Sequence, residues 1–441
     1  SQYNYYGFER NVGSVVKAEN LNTTASNLNI SGSAVTTKTA NLNVDKLNIE
    51  SKVDKEDEIK KSSYKDLLKS GSKKETIHSE ENSAGSLYVE NKGTIRGDVN
   101  LVGSNLVLGD NSFVAGKVTT DSRELHSSYS LEEKKKGFSG SIGSGGFSVG
   151  YGKSQSKLKE KDLTNAKSNL VLGDNVTLNK GAEITATNLI HGQVNINNGD
   201  VKFGARKDTR DVETSSKSSG VNLSVRIKSE ALDRAKQGVD SFKQMKSGDS
   251  IGGIASGVNT ITGVVSGLSN NIKNLDNKRA TTNDVKNGNF KVDNDFYLST
   301  DINLGFTRSE SKSKSHNENA VVTNIQGKDS NSSITYNNVN TVNYDGTQAK
   351  NTKFIYNNVE NINKTAVELN NYNRSSSKST GVSAGLSFDE QGKMNVDAVR
   401  VSASGSKMNT DETIYQNGSF INVDEVHNNT KNMTLSGFNQ E

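Results

Sequence analysis

The chain has 441 residues with no proline, cysteine or tryptophan, and only 31% of it is hydrophobic. At ordinary usage about 22 prolines would be present, so the composition excludes domains defined by a proline-bearing motif and disfavours a single thick core. Lys and Arg total 54 against 50 Asp and Glu, a net +4 that provides no global basic field for nucleic acid, and the absence of Cys excludes disulfides and thiolate metal sites. The chain opens Ser1-Gln2-Tyr3-Asn4 with no initiator Met and no cleavable leader pattern, which predicts a piece of something longer.

Internal repetition is the dominant signal. The octapeptide SNLVLGDN occurs at 104–111 and again at 168–175. At an offset of 19, Leu28 and Ile30 fall on Leu47 and Ile49, Leu87 and Val89 on Leu106 and Leu108, and Ile184 on Phe203. At an offset of 20, Tyr336-Asn337-Asn338-Val339 falls on Tyr356-Asn357-Asn358-Val359. Each unit carries short alternating apolar triplets separated by Asn, Gly, Asp and Ser, which tolerate corners and left-handed backbone. A unit of this size cannot bury its own inward side chains, whereas stacked copies can, each strand bonding to its counterpart one rung away. The expected fold class is all-β, a right-handed parallel β-helix with rungs of about 19–20 residues. Proline is then excluded because every rung needs its N–H for the ladder. An α/β alternative lacks the long amphipathic helices that βαβ units require.

Repeat segments run at 11–50, 86–121, 165–205, 319–370 and 412–441, within blocks 1–227 and 281–441. The stretch 51–82 is charge-dense and predicts a solvated loop or short helix. Four insertions alternate apolar residues and predict protruding β-hairpins. One, at 122–164, carries Phe138, Ile142, Phe147, Val149 and Tyr151, and another has Val221, Leu223, Val225 and Ile227. The others lie at 296–318, with Ile302, Leu304 and Phe306, and at 371–411, with Val382, Ala384, Leu386 and Phe388. Hairpins of this kind pack on each other or on a solenoid face as satellite sheets, or meet a membrane directly. The excursion 228–280 begins with a helix-like pattern at Lys228–Lys246. It continues into Ile251–Leu268, which holds no charge and bears Ile251, Ile254, Val258, Ile261, Val264, Val265 and Leu268. Its glycines and hydroxyl residues argue against a transmembrane helix and leave two readings, packing on the solenoid or membrane activity on contact.

Catalytic chemistry finds no foothold. His78, His126, His191, His316 and His427 are scattered without i, i+4 partners, so no zinc site or triad is predicted, and each reads as a surface or rung-corner residue. Asp110 and Asp174 occupy the repeated Gly-Asp-Asn turn, where a carboxylate can bond the backbone two residues on. Gly143-Ser144-Gly145-Gly146 lacks the context of a phosphate loop. The run Lys134-Lys135-Lys136 follows Glu132-Glu133 and reads as a charged hairpin base. No enzyme, cofactor or metal is expected.

The rungs, interrupted by stretches such as Ser377-Lys378-Ser379-Thr380-Gly381-Val382-Ser383-Ala384-Gly385-Leu386, resemble the haemagglutinin repeats of filamentous-haemagglutinin-family exoproteins, including the CdiA-type effectors of contact-dependent growth inhibition. The resemblance implies a secreted filament on the Gram-negative cell surface, exported by an outer-membrane transporter of the two-partner pathway through an amino-terminal domain absent here. It places the chain in the second, carboxy-proximal repeat region and implies a target-cell outer membrane or surface receptor as partner, with no nucleic acid. The residues expected to make that contact are the apolar ones named above: Phe138, Ile142, Phe147, Val149 and Tyr151, the apolar residues of 251–268, and Leu386 and Phe388. An adhesin stalk that binds host receptors or glycans is the alternative.

Overall fold

A computed structural model describes residues 1–143, 146–227, 300–388 and 394–441. Among the described residues the strands fall into two sheets, a parallel one of 22 strands and an antiparallel one of nine. The parallel sheet is a three-sided β-helix. One side stacks Asn105–Leu108 on Ser168–Leu172 and on Thr187–His191, and the second stacks Val176–Leu178 on Gln193–Asn197. The third stacks Asp98–Val102 on Val118–Asp121, then Ala182–Thr185 and Val201–Gly204.

Registers predicted from the repeats are those found. Leu28 pairs with Leu47 and Ile30 with Ile49, the two octapeptides lie in adjacent rungs, and Tyr336 sits on Tyr356. Inward side chains therefore form continuous stacks. One runs Leu42, Ile95, Val114, Leu178, Ile196, Tyr336, Tyr356, with every member nearly inaccessible to solvent. Burying each such Leu, Ile or Val contributes about 1.5–3 kcal/mol, so a thin core suffices when it is repeated rung after rung.

Asparagines at the corners serve two purposes. Asn111, Asn175, Asn338 and Asn358 take positive φ of 53–64°, the left-handed turn that a β-branched residue resists. Others stack as amide ladders: Asn169 donates to Asn105 Oδ1 at 2.8 Å, Asn188 to Asn169 at 3.1 Å and Asn324 to Asn188 at 3.2 Å. Asp110 Oδ1 accepts the N–H of Asp174 at 2.7 Å, so this carboxylate bridges to the next rung instead of closing its own turn. Glycine is required where rungs crowd: a Cβ at Gly97 would lie 2.1 Å from the Asp45 carbonyl oxygen.

The second sheet is built from the excursions. Its strands are numbered here in chain order: β1 Gln2–Glu9, β2 Lys52–Lys65, β3 Lys69–Ser83, β4 Arg123–Gly143, β5 Gly146–Ala166, β6 Arg206–Ile227, β7 Thr300–Val321, β8 Val367–Phe388 and β9 Met394–Gln416. Spatial order equals chain order, and every pairing is antiparallel. A geometric match makes this possible. The hairpins β2–β3, β4–β5, β6–β7 and β8–β9 all leave the end of the third side and return to the start of the first, with two rungs between one and the next. Two rungs advance the solenoid by about 9.6 Å, and a hairpin is two strands, also about 9.6 Å, wide. Successive hairpins therefore abut edge to edge.

Two expectations are corrected. The charged stretch 51–82 is the hairpin β2–β3, in which cross-strand pairing sets Lys60 opposite Glu75 and Lys55 opposite Glu80. Its alternating charges suit a strand with both faces polar, a pattern that apolar periodicity cannot reveal. The insertion at 296–318 is not a hairpin by itself. Its described part, 300–318, lies on β7, the return strand of a hairpin whose outgoing strand is β6. The excursion 228–280, with its helix-like pattern, lies outside the described residues.

Candidate surface-contact site

Residues directly opposite one another share a face, so the register of the nine-stranded sheet sorts its side chains into rows. One face has three zones from root to tip. At the root stand His78 opposite Asp57 and His316 opposite Asp211. The middle carries lysines: Lys74, Lys157, Lys312 and Lys407 lie in one row, on alternate strands β3, β5, β7 and β9. The tip is apolar, with rows such as Phe138, Tyr151, Val221, Phe306, Val382, Val401 and Val149, Leu223, Leu304, Ala384, Val399. The opposite face carries serines, as in the row Ser156, Ser216, Ser311, Ser377, Ser406, where Ser377 and Ser406 hydroxyls meet at 2.6 Å.

The root zone holds two matching clamps. His78 Nδ1 lies 2.6 Å from Asp57 and its Nε2 lies 2.8 Å from Glu80, whose other oxygen accepts the His126 N–H at 2.9 Å. His316 lies 2.6 Å from Asp211 and 3.1 Å from Glu318, which accepts the Asn370 N–H at 2.8 Å. Each clamp thus ties one hairpin to the first strand of the next. Hydrogen bonds to Glu80 and then Asp57 push the His78 pKa up. For His316 burial acts in the opposite direction, but Asp211 and Glu318 prevail and its pKa is also raised. Sequence reasoning treated these histidines as unpartnered. The recurrent His-x-Glu at 78–80 and 316–318 was the available signal. His191, expected at the surface or a corner, is fully buried and lies 2.9 Å from Thr352 Oγ1. Among the described residues no group of three or more His, Asp and Glu is placed to hold a metal ion.

Those of the apolar residues expected to make contact that are described are gathered at the tip of this face. Phe138, Phe147, Val149 and Leu386 are buried there, Tyr151 is half-buried, and Ile142 is 47% exposed. Phe388 closes β8 opposite Met394. Ile251, Ile254, Val258, Ile261, Val264, Val265 and Leu268 lie outside the described residues. Val396, Val399 and Val401, which were not among the residues expected to make contact, continue the apolar rows onto β9 and are 53%, 62% and 75% exposed. The Lys134–Lys136 run lies past the middle of β4 and not at its base, with Lys134 and Lys136 on the lysine-bearing face and Lys135 on the other.

Among the described residues no helix is long and apolar enough to cross a membrane, which says nothing of crossing by strands. No curated protein and no solved structure matches the chain. The sequence profile of the family described as Hemagglutinin repeat matches residues 7–65, 149–251 and 304–439, most of the chain's length, covering both rungs and excursions. The chain therefore belongs to the hemagglutinin-repeat family, as a filamentous-haemagglutinin-like, adhesin-type protein of the secreted or cell-surface class.

Proposed function

We propose that this chain is the contact region of a large secreted exoprotein, in which the β-helix is the rod and the nine-stranded sheet is the surface presented to a target outer membrane, in the service of toxin delivery by contact-dependent growth inhibition. The single observation that carries this reading is the gathering of apolar residues from β4 to β9 onto one end of one face. Its exposed members, Ile142 on β4 and Val396, Val399 and Val401 on β9, make first contact. Export through a two-partner outer-membrane transporter belongs to the same reading. Flotation of the chain with outer-membrane vesicles tests it. Co-flotation that falls when 251–268 is deleted or when Val399 and Val401 become Ser supports it, and a chain that stays at the bottom of the gradient refutes it.

A second reading, an adhesin that binds glycans, is favoured by a different observation: the lysine rows between root and tip.

A further inference from the structure

The lysine rows form a lattice. Beside the row of Lys74, Lys157, Lys312 and Lys407 on alternate strands, the next row toward the tip puts Lys134, Lys217 and Lys378 on the intervening strands β4, β6 and β8. The row after it adds Lys136, Lys153 and Arg308. Like charges directly opposite one another repel, and the checkerboard of the first two rows avoids this from β3 to β9 while holding a dense cationic field; Lys136 opposite Lys153, Lys314 opposite Arg374 and Lys61 opposite Lys74 are the like pairs at its margins. Lys159, Lys314 and Arg374 extend it toward the root.

Three features separate this field from an ordinary solvated face. First, it is one-sided. The matching rows on the other face carry Ser154, Ser218, Ser309, Ser379 and Ser404, or Ser156 and its neighbours, with Lys73 and Lys135 paired to Glu75 at 2.9 Å and Glu133 at 2.7 Å. Second, it is under-neutralised. Glu132, Glu213 and Glu310 engage Lys134, Lys314 and Lys312 at 3.4–3.6 Å, Glu310 also lies 3.8 Å from Lys217, and Asp411 lies 2.6 Å from Arg374, while Lys74, Lys136, Lys153, Lys157, Lys159 and Lys407 have no carboxylate within 4.0 Å among the described residues. Third, it is concave. Two adjoining hollows of about 810 and 790 Å³ lie over these rows, and serines separate the lysines that line them.

We propose that this trough binds an acidic polysaccharide laid across the strands, along the direction of the rows. The inference deepens the second reading above and rests on it. From β3 to β9 the trough spans six strand spacings, about 29 Å, with a cation about every 9.6 Å in the central row, which suits a long chain bearing regularly spaced sulfate or carboxylate groups. Serine hydroxyls between the cations, such as Ser215 and Ser376, can donate to sugar oxygens and accept from sugar hydroxyls. From β3 to β9 these rows contain no aromatic side chain on which a nucleic-acid base could stack, and Phe306, which lines the tipward edge of the second hollow, stands in the apolar row beyond them. A flat bilayer does not enter a hollow, and these rows offer it no large apolar side chain.

The test uses the full chain and four probes: dextran sulfate, uronate-rich alginate, neutral dextran and vesicles with anionic headgroups, with duplex DNA as a further competitor. The trough variant is Lys157→Ser/Lys312→Ser/Lys407→Ser, which introduces the residue already present at Ser215 and Ser376 in the same row. The control, Lys60→Ser/Lys73→Ser/Lys135→Ser, removes equal charge from the opposite face. Thermal melting establishes that both variants fold. The expected result is binding of dextran sulfate or alginate but not neutral dextran, weakened about tenfold or more in the trough variant and unchanged within about twofold in the control. Equal loss in both variants, no binding of either acidic polysaccharide at physiological salt, or tighter binding of DNA or vesicles would overturn the proposal. Adhesion of the native chain to cells without binding of either acidic polysaccharide would leave the adhesin reading standing without this site, whereas a native chain that neither adheres to cells nor binds either polysaccharide would remove both.

Discussion

Single residues show how far the repeat tolerates polarity. Lys364 occupies an inward position in the stack that runs Ile184, Phe203, Tyr344, and its side chain is 0% exposed. Its ammonium lies 2.7 Å from Glu425 and 3.1 Å from Gln440, and it sits over the Phe420 ring. Tyr336, Tyr344 and Tyr356 hydroxyls continue the network to Glu425. Lys364→Met should therefore cost about 3–5 kcal/mol in denaturant unfolding, because it strands a largely buried carboxylate, and adding Glu425→Gln should recover much of the loss. The histidine clamps make a pH prediction. Both histidines have folded pKa values raised above the unfolded value near 6.5, so their contribution is fully present below that pH and is lost as pH rises through the folded values. Melting temperature should fall across that interval in the native chain, and the fall should shrink in His78→Gln/His316→Gln. Glu80 and Glu318 are held below the usual carboxylate range, against the effect of burial, by the His126 and Asn370 N–H groups and by the histidines, so a second loss is expected on acidification below about 4.5. Half of each clamp stood in the sequence as His-x-Glu, but the Asp half was not legible because Asp57 and Asp211 lie 21 and 105 residues from their histidines.

Elements divide by how local their logic is. Rungs were readable because a stacked neighbour is usually the next repeat, so Leu28 on Leu47 or Tyr336 on Tyr356 appears at a short constant offset. Apolar alternation likewise marked the tips of β5, β6, β7 and β8. The hairpin β2–β3 escaped notice because its stabilising pairs are charges on a strand with no apolar face. The lysine lattice escaped notice because Lys157 and Lys312 become row-mates only through the combined registers of β5, β6 and β7. If two rungs per hairpin is what allows the strands to abut, spacing and not sequence should control the sheet. Deleting one rung, 187–204, should leave β6–β7 unable to pair with β5 and render its Ser/Lys stretch at 215–220 sensitive to brief trypsin treatment. Deleting the whole module 123–204 restores the spacing and should leave the remaining hairpins resistant, although it removes more residues.

The whole molecule is then two sheets running along one axis, a parallel one closed into a rod and an antiparallel one displayed beside it. Its low hydrophobic fraction follows from this plan, since the rod needs only narrow stacks and the second sheet spends most of its surface on Lys, Ser and Asn. The missing proline follows as well, because both sheets draw on nearly every backbone N–H. Membership of the hemagglutinin-repeat family fits a chain whose chemistry is surface display. The central claim is that the excursions form one continuous sheet in the stated register, for the rows, the lattice and the apolar tip all depend on it. Since the chain contains no cysteine, paired Cys substitutions report that register without background. Ser156→Cys/Ser216→Cys and Ser311→Cys/Ser377→Cys join different hairpins at directly opposed positions, where Cα atoms about 4.5–5.5 Å apart accept a disulfide. Mild oxidation should close both bridges, as read by mass, while the one-residue offset Ser156→Cys/Lys217→Cys places its thiols on opposite faces and should stay reduced. Bridges that fail to form in the opposed pairs, or form as readily in the offset pair, would contradict the sheet and everything placed on it.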